Sequence, residues 1–177
     1  MNEYGELLDN ETVRFERLLP GPIERVWAYL TESDKRAQWL AAGETELKTD
    51  GKVEMHFHNM SLSGATDIPR PDKYKDMPER MSFGGKVLRC EPLRLLSYTW
   101  ELEDERSEVT YELSEQCDKV LLVLTHRRLT TDDMVLSVAT GWHTHLGLLE
   151  DILNGAGLRP FYKTQSELEA IYEQRLA

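Results

Sequence analysis

From Gly84 to Arg127 the chain reads as strand after strand with almost nothing between them. Gly84 to Glu91, Leu93 to Glu101, Glu108 to Ser114 and Val120 to Arg127 carry the two-residue period of a sheet in meander order. Leu96, Tyr98, Trp100 and Leu102 share one face, and Val109, Tyr111 and Leu113 alternate with Glu108, Thr110 and Glu112. An antiparallel sheet of this pattern has one face on a core and one in solvent. In the last strand Val120, Leu122 and Leu124 are apolar, but so are Leu121 and Val123, so that strand is expected to be covered, at least in part, on both sides.

A long helix follows. Thr130-Thr131-Asp132-Asp133 offers hydroxyl and carboxylate caps that also favour the positive end of the helix. Val135, Val138, Trp142, His145, Leu146, Leu149 and Leu153 form its apolar stripe, and Asn154-Gly155-Ala156-Gly157 ends it. Upstream, Thr12 to Leu19 reads as a first strand, broken by Pro20-Gly21-Pro22. Ile23, Val26, Trp27 and Leu30 then lie on one helical face, and a second short helix is expected to carry Ala37, Trp39 and Leu40 inward. Glu44 to Lys48 and the strictly alternating Lys52 to His58 flank a hairpin signal at Thr49-Asp50-Gly51. Residues 59–82 lack periodicity, hold Pro69, Pro71 and Pro78, and are expected near a functional opening, with a short helical turn. Thr164-Gln165-Ser166-Glu167 has the form of a capping box for a final helix. Its stripe of Leu168, Ile171 and Tyr172 either covers the outer face of the last strand or docks on a second copy of the chain.

The resulting order is strand, two short helices, about six strands and a long helix, an α+β arrangement in one domain over residues 1–177. A twisted sheet of this size is too large for one helix to fill its concave face. Two readings follow: the inward aromatics fill a solid core, or they wall an apolar cavity for a small molecule.

Lys plus Arg number 21 against 32 Asp plus Glu, a formal charge of −11. That balance disfavours nucleic acid and anionic membrane surfaces as partners. No apolar run is long enough to span a bilayer, and Met1-Asn2-Glu3-Tyr4-Gly5-Glu6 lacks the basic start and apolar core of a signal peptide, so a cytoplasmic protein is expected. Cys90 and Cys117 have no metal-ligand spacing and are expected as free thiols.

The chain resembles the START-like, or helix-grip, superfamily known as SRPBCC, and within it the family named after the C-terminal domain of the activator of heat-shock-protein-90 ATPase. The resemblance covers residues 12–154. It rests on Arg14-Phe15-Glu16-Arg17 leading into Pro20-Gly21-Pro22-Ile23-Glu24-Arg25-Val26-Trp27. Lys35-Arg36-Ala37-Gln38-Trp39-Leu40, Leu96-Ser97-Tyr98-Thr99-Trp100 and Gly141-Trp142-His143-Thr144-His145-Leu146 continue it. It implies a curved antiparallel sheet wrapped around the long helix, with residues 155–177 as an extension, and a hydrophobic cavity between sheet and helix. Trp27, Trp39, Met55, Phe57, Tyr98, Trp100, Tyr111, Leu122, Trp142, His145, Leu146 and Leu149 are then the expected lining, with a mouth near residues 59–82. It does not imply one activity, because the superfamily hosts lipid binders, cyclases, hydrolases and chaperone regulators.

The residues offer little chemistry. His56 and His58 lie on the strand face opposite Val53, Met55 and Phe57, without a third ligand, so they read as exposed histidines rather than a metal site. His143 and His145 point to nearly opposite sides of the helix and are not a chelating pair. His145 is either a satisfied core histidine or a group bordering the cavity as hydrogen-bond partner or general base. Glu101, Glu103, Asp104 and Glu105 read as a solvated turn, and Glu150 and Asp151 as an outer-face pair. Phosphate-loop and serine-elbow motifs are absent, and neither cofactor nor metal is expected. The leading expectation is non-catalytic binding of a small hydrophobic or amphipathic molecule. The alternatives are a co-chaperone-like interaction module or homodimer and a cyclase- or hydrolase-like enzyme using His145 or Tyr98. The co-chaperone alternative carries regulation of a stress-related chaperone ATPase with it, and the expected lack of the eukaryotic activator's separate N-terminal domain weighs against ATPase activation.

Overall fold

The computed structural model describes residues 2–64, 66–102 and 105–176. Its strands are β1 (Glu6–Asp9), β2 (Thr12–Pro20), β3 (Lys52–Phe57), β4 (Met81–Glu91), β5 (Leu95–Leu102), β6 (Glu105–Gln116) and β7 (Lys119–Arg127). Its helices are α1 (Ile23–Thr31), α2 (Ser33–Arg36), α3 (Asp132–Leu153) and α4 (Phe161–Leu176). The strands form one antiparallel sheet in the order β1-β2-β7-β6-β5-β4-β3, with α3 against its concave side: the expected helix-grip α+β fold.

Period-two alternation sets the inner face. Val13, Phe15 and Leu19 of β2, Leu96 and Tyr98 of β5, Val109 and Tyr111 of β6, and Leu122 and Leu124 of β7 are all buried. They meet Val135, Trp142, Leu146 and Leu149 of α3 in one core. Each such side chain contributes about 1.5–3 kcal/mol on leaving water. Thr131 caps α3 by accepting the Met134 N–H at 3.2 Å, and Asn154 followed by Gly155 at φ +64° ends it, both at the expected positions.

Four expectations change. Glu44 to Lys48 makes only an isolated bridge, Thr45 to Val53, and not a strand. Beside it lies Arg36, fully buried, whose guanidinium donates to the carbonyls of Ala41 (3.0 Å), Gly43 (2.7 Å) and Glu54 (2.9 Å). The Glu54 carbonyl of β3 and the Gly43 carbonyl just before the segment are thus held by a side chain, while Glu44 and Glu46 still make single backbone bonds to Glu54 and Lys52. At the other end of the sheet, β1 is an edge strand whose residues are all exposed, so no inward-outward alternation marks it in the sequence.

The last helix begins at Phe161, and Thr164 lies inside it, so the local capping box is not its cap. It packs on α3 rather than on the outer face of β7, where Leu121 and Val123 stay half-buried. Covered by α4 as well as by the sheet, α3 buries Thr140, His143, Thr144 and Leu148 in addition to its apolar stripe.

Glu150 and Asp151 are not an outer-face pair. Glu150 lies 3.3 Å from Arg17, an inward residue of β2 that is 4% exposed, and Arg159 forks onto Asp151 at 2.8 and 2.7 Å. Desolvation lowers the Arg17 pKa and raises that of Glu150, and each charge partly offsets the penalty on the other. A Cβ at Gly147 would stand 2.4 Å from Arg159 Nη1, so a larger residue there displaces the guanidinium. Of the acidic run after β5, Glu103 and Asp104 lie outside the described residues.

Candidate functional site

Residues 58–64 and 66–80 lie between β3 and β4 and include two short 3-10 turns, Asn59–Leu62 and Asp72–Tyr74. Two carboxylates hold this segment against α4. Asp67 accepts the backbone N–H groups of Tyr162 (2.8 Å) and Lys163 (3.0 Å), together with the Ser63 hydroxyl at 2.8 Å and the Ile68 N–H at 2.8 Å. It is the cap that the local sequence of α4 does not supply, and a carboxylate there complements the helix dipole. Burial pushes the Asp67 pKa up, but the bonds from Tyr162, Lys163, Ser63 and Ile68 prevail and leave it lowered. Further along, Glu169 of α4 receives the Tyr74 hydroxyl at 2.8 Å and pairs with Lys73. Desolvation first, and then the Glu169 charge, push the Tyr74 phenol up.

Under this strap lies a cavity of about 330 Å³, walled by the strap, the first half of α3 and the first turns of α4. Phe57, Met77, Pro78, Met81 and Leu136 give it apolar surface, and Tyr74 and Tyr162 give it aromatic surface. Asn59, Ser137, Thr140 and Gln165 add uncharged polar groups, and Arg70, Glu79, Asp133 and Glu169 add charge. Its size falls at the lower end of small-molecule pockets, and apolar walls with a few polar groups are their usual make-up. Among the described residues, two buried oxygens on this wall, Asn59 Oδ1 and Thr140 Oγ1, have no hydrogen-bond partner. Thr140 is only 3% exposed, so its hydroxyl is neither bonded to protein nor open to bulk water.

The structure gathers the twelve expected lining residues (those from Trp27 to Leu149 named above) into one region but sorts them by depth. Phe57 lines the cavity under the strap. Trp100 lines a separate depression on the far side of the α3 start. Trp27, Trp39, Met55, Tyr98, Tyr111, Leu122, Trp142, His145, Leu146 and Leu149 are buried in the core behind them. The rings there pack on one another, Trp100 to Trp142 at 5.4 Å and Tyr111 to Trp142 at 6.0 Å between centroids.

The two groups considered for acid–base chemistry are held inside this core. His145 Nδ1 donates to the Trp39 carbonyl at 2.6 Å, and burial brings its pKa down to about 4. The Tyr98 hydroxyl meets that of Tyr111 at 3.0 Å, and burial pushes its pKa up to about 12. Both are satisfied, and neither lines the cavity. On the outer side of β3, His56 is exposed with Nδ1 2.9 Å from Ser82 Oγ. No group of three or more His, Cys, Asp or Glu among the described residues is placed to hold a metal ion, and Cys90 and Cys117 are free.

Sequence reasoning missed Asn59, Thr140, Asp67 and the buried His126. Alternation along Val120, Leu122 and Leu124 already placed His126 on the inner face. The bonds that Asp67 takes from Tyr162 and Lys163, and those that His126 makes with Trp142 and Ser107, come from distant segments and have no local signature.

A helix-grip sheet with a cavity at the strap end defines a START-like protein. The chain belongs to the family of activator of Hsp90 ATPase homolog 1-like proteins, whose model matches residues 20–154. It is similar over 98% of its length, at 44% identity and a TM-score of 0.82, to a Bordetella parapertussis protein of known solution structure, of which it covers 91%. CalU16 from Micromonospora echinospora shares the fold at 22% identity and a TM-score of 0.66, with 93% of this chain and 88% of that one covered. A conserved Enterococcus faecalis protein of unknown function does so at 22% identity and a TM-score of 0.66, with 96% and 87% covered. No curated protein matches the chain by sequence. Among the described residues, no helix is long and apolar enough to cross a membrane.

Proposed function

We propose that this protein binds a small amphipathic molecule in the cavity under the strap and does not transform it. Phe57 is its inner wall, with the aromatic core from Trp100 to Trp142 behind. The observation that carries the reading is the pair of unpartnered buried oxygens, Thr140 Oγ1 and Asn59 Oδ1, on residues of a wall whose apolar part is Phe57, Met77, Pro78, Met81 and Leu136. A buried polar group without a partner costs about 1–3 kcal/mol. A ligand offering a hydrogen-bond donor, with an apolar body against Phe57 and Leu136, satisfies these groups once the Thr140 and Asn59 side chains turn toward it.

The test is native mass spectrometry of the purified protein after incubation with mixed lipid and metabolite extracts. A discrete adduct is expected, reduced in a Leu136→Trp variant that fills the cavity. A clean apo mass in every extract overturns the reading for those compounds.

A second reading, a co-chaperone-like interaction module, is supported by the family itself and by edge strand β1, where Leu7 and Leu8 are 43% and 54% exposed. Titration calorimetry against a purified Hsp90-type chaperone tests it. Binding that is lost in a Leu7→Lys, Leu8→Lys variant supports it, and no heat of binding removes it.

A further inference from the structure

On the other side of the α3 start, three side chains form a hydrogen-bonded relay whose direction is forced. Trp142 Nε1 lies 2.9 Å from His126 Nδ1, and His126 Nε2 lies 2.6 Å from Ser107 Oγ. An indole N–H only donates, so His126 Nδ1 accepts and carries no proton. His126 is 1% exposed, and burial holds the ring neutral, with its pKa brought down to about 3. The ring proton is therefore on Nε2 and is donated to Ser107 Oγ. Ser107 is left with its own proton, and its only other hydrogen-bond partner among the described residues is the Trp100 carbonyl at 3.5 Å, at the outer limit of such a bond. A relay running one way, from Trp142 through His126 to Ser107, polarises each successive group. It ends on a buried, oriented hydroxyl donor.

Ser107 and His126 both line a depression of about 400 Å³ walled by Trp100, Leu129, Met134 and Val138. It meets the first cavity only along Asp133 and Ser137, which border both. We propose that this depression is a second binding site, for a compact apolar or aromatic molecule that presents an uncharged acceptor, a ketone or amide carbonyl, to the Ser107 hydroxyl. Asp133 on the rim disfavours a carboxylate in that place. The relay also separates this site from a hydrolase. In a Ser-His catalytic pair the histidine nitrogen facing the serine accepts its proton, whereas here that nitrogen already carries one. Ser107 is a donor to the ligand, not a nucleophile.

The test compares acetophenone with α-methylstyrene, which has nearly the same shape but a methylene in place of the carbonyl oxygen, by ¹H–¹⁵N NMR titration of the whole protein. Acetophenone is expected to bind about tenfold more tightly, with shifts at Leu129, Met134, Val138 and the Trp142 indole. Ser107→Ala should bring the two ligands to within about threefold of each other, and Ser107→Thr should restore the difference. Met134→Trp, on the half-buried rim, keeps the relay and should abolish binding of both. Equal affinities in the native protein, an undiminished preference in Ser107→Ala, no binding of either compound, or shifts centred on Tyr74 and Tyr162 would each overturn the proposal. The last outcome would at the same time leave the first cavity as the ligand site.

Discussion

The Asp67 carboxylate, in the middle of the strap, accepts the Tyr162 backbone N–H at 2.8 Å and so caps a helix 95 residues further along the chain. One contact thus starts α4 and closes the roof of the cavity. Asp67→Ala is expected to lower stability by about 1–2 kcal/mol. It should also speed amide exchange together in the strap and in the first turn of α4. If exchange rises in only one of the two segments, the coupling does not exist.

Thr140→Val separates stability from binding. Valine keeps the shape and replaces the unpartnered hydroxyl by a methyl group. The ligand-free protein should therefore hold its stability or gain up to about 1 kcal/mol. Affinity for any molecule captured from extract should fall several-fold. Denaturant titration beside native mass spectrometry reads both, and equal retention of affinity would remove Thr140 from the site.

Three buried histidines make the protein acid-sensitive in a defined window. His126, His143 and His145 have ordinary values of 6.5 in the unfolded chain, and burial lowers them to about 3, 4 and 4 in the fold. Above 6.5 both states hold neutral rings, and the stability is fully present. As pH falls below that value the unfolded chain takes up protons that the native state refuses, so stability declines until the folded pKa values are reached. The limit for the three together is about 4 kcal/mol per pH unit. Urea midpoints between pH 7 and pH 4.5, two values of about the required span, should fall steeply in the native protein. In His126→Gln the slope should be about a third smaller.

Arg36 is a buried cation held by carbonyls rather than by a carboxylate. It also donates to Thr45 Oγ1 at 2.8 Å, so its planar fork joins the end of α2 to the segment before β3. A lysine at this position has a single point of charge and cannot span those oxygens. Arg36→Lys should cost about 2–4 kcal/mol by denaturant unfolding and should raise exchange at residues 41–46. A loss below about 0.5 kcal/mol would show that the carbonyl cage is dispensable.

The strands from Gly84 to Arg127, the α3 stripe and both ends of α3 could be read in advance because each signal is local. Alternation needs only the next residue but one, and a cap only the next turn. The same locality misled at Thr164, where a well-formed capping box lies inside a helix that Asp67 starts one turn earlier. It misled again at Glu44 to Lys48, which meets β3 only through an isolated bridge beside the carbonyls that Arg36 holds at Gly43 and Glu54.

By itself the sequence determined which faces of the strands and of α3 turn inward, because side-chain period and hydrophobic burial are properties of neighbouring residues. It therefore determined the family of fold and the general end of the molecule where an opening lies. Only the tertiary structure decided what those inward residues do. It filled the space behind Phe57 with Trp100, Tyr111 and Trp142, moved the cavity outward to the wall carrying Thr140, and fixed the proton order from Trp142 to Ser107. Each of these depends on distances between segments far apart in the chain, and those are set by packing rather than by periodicity.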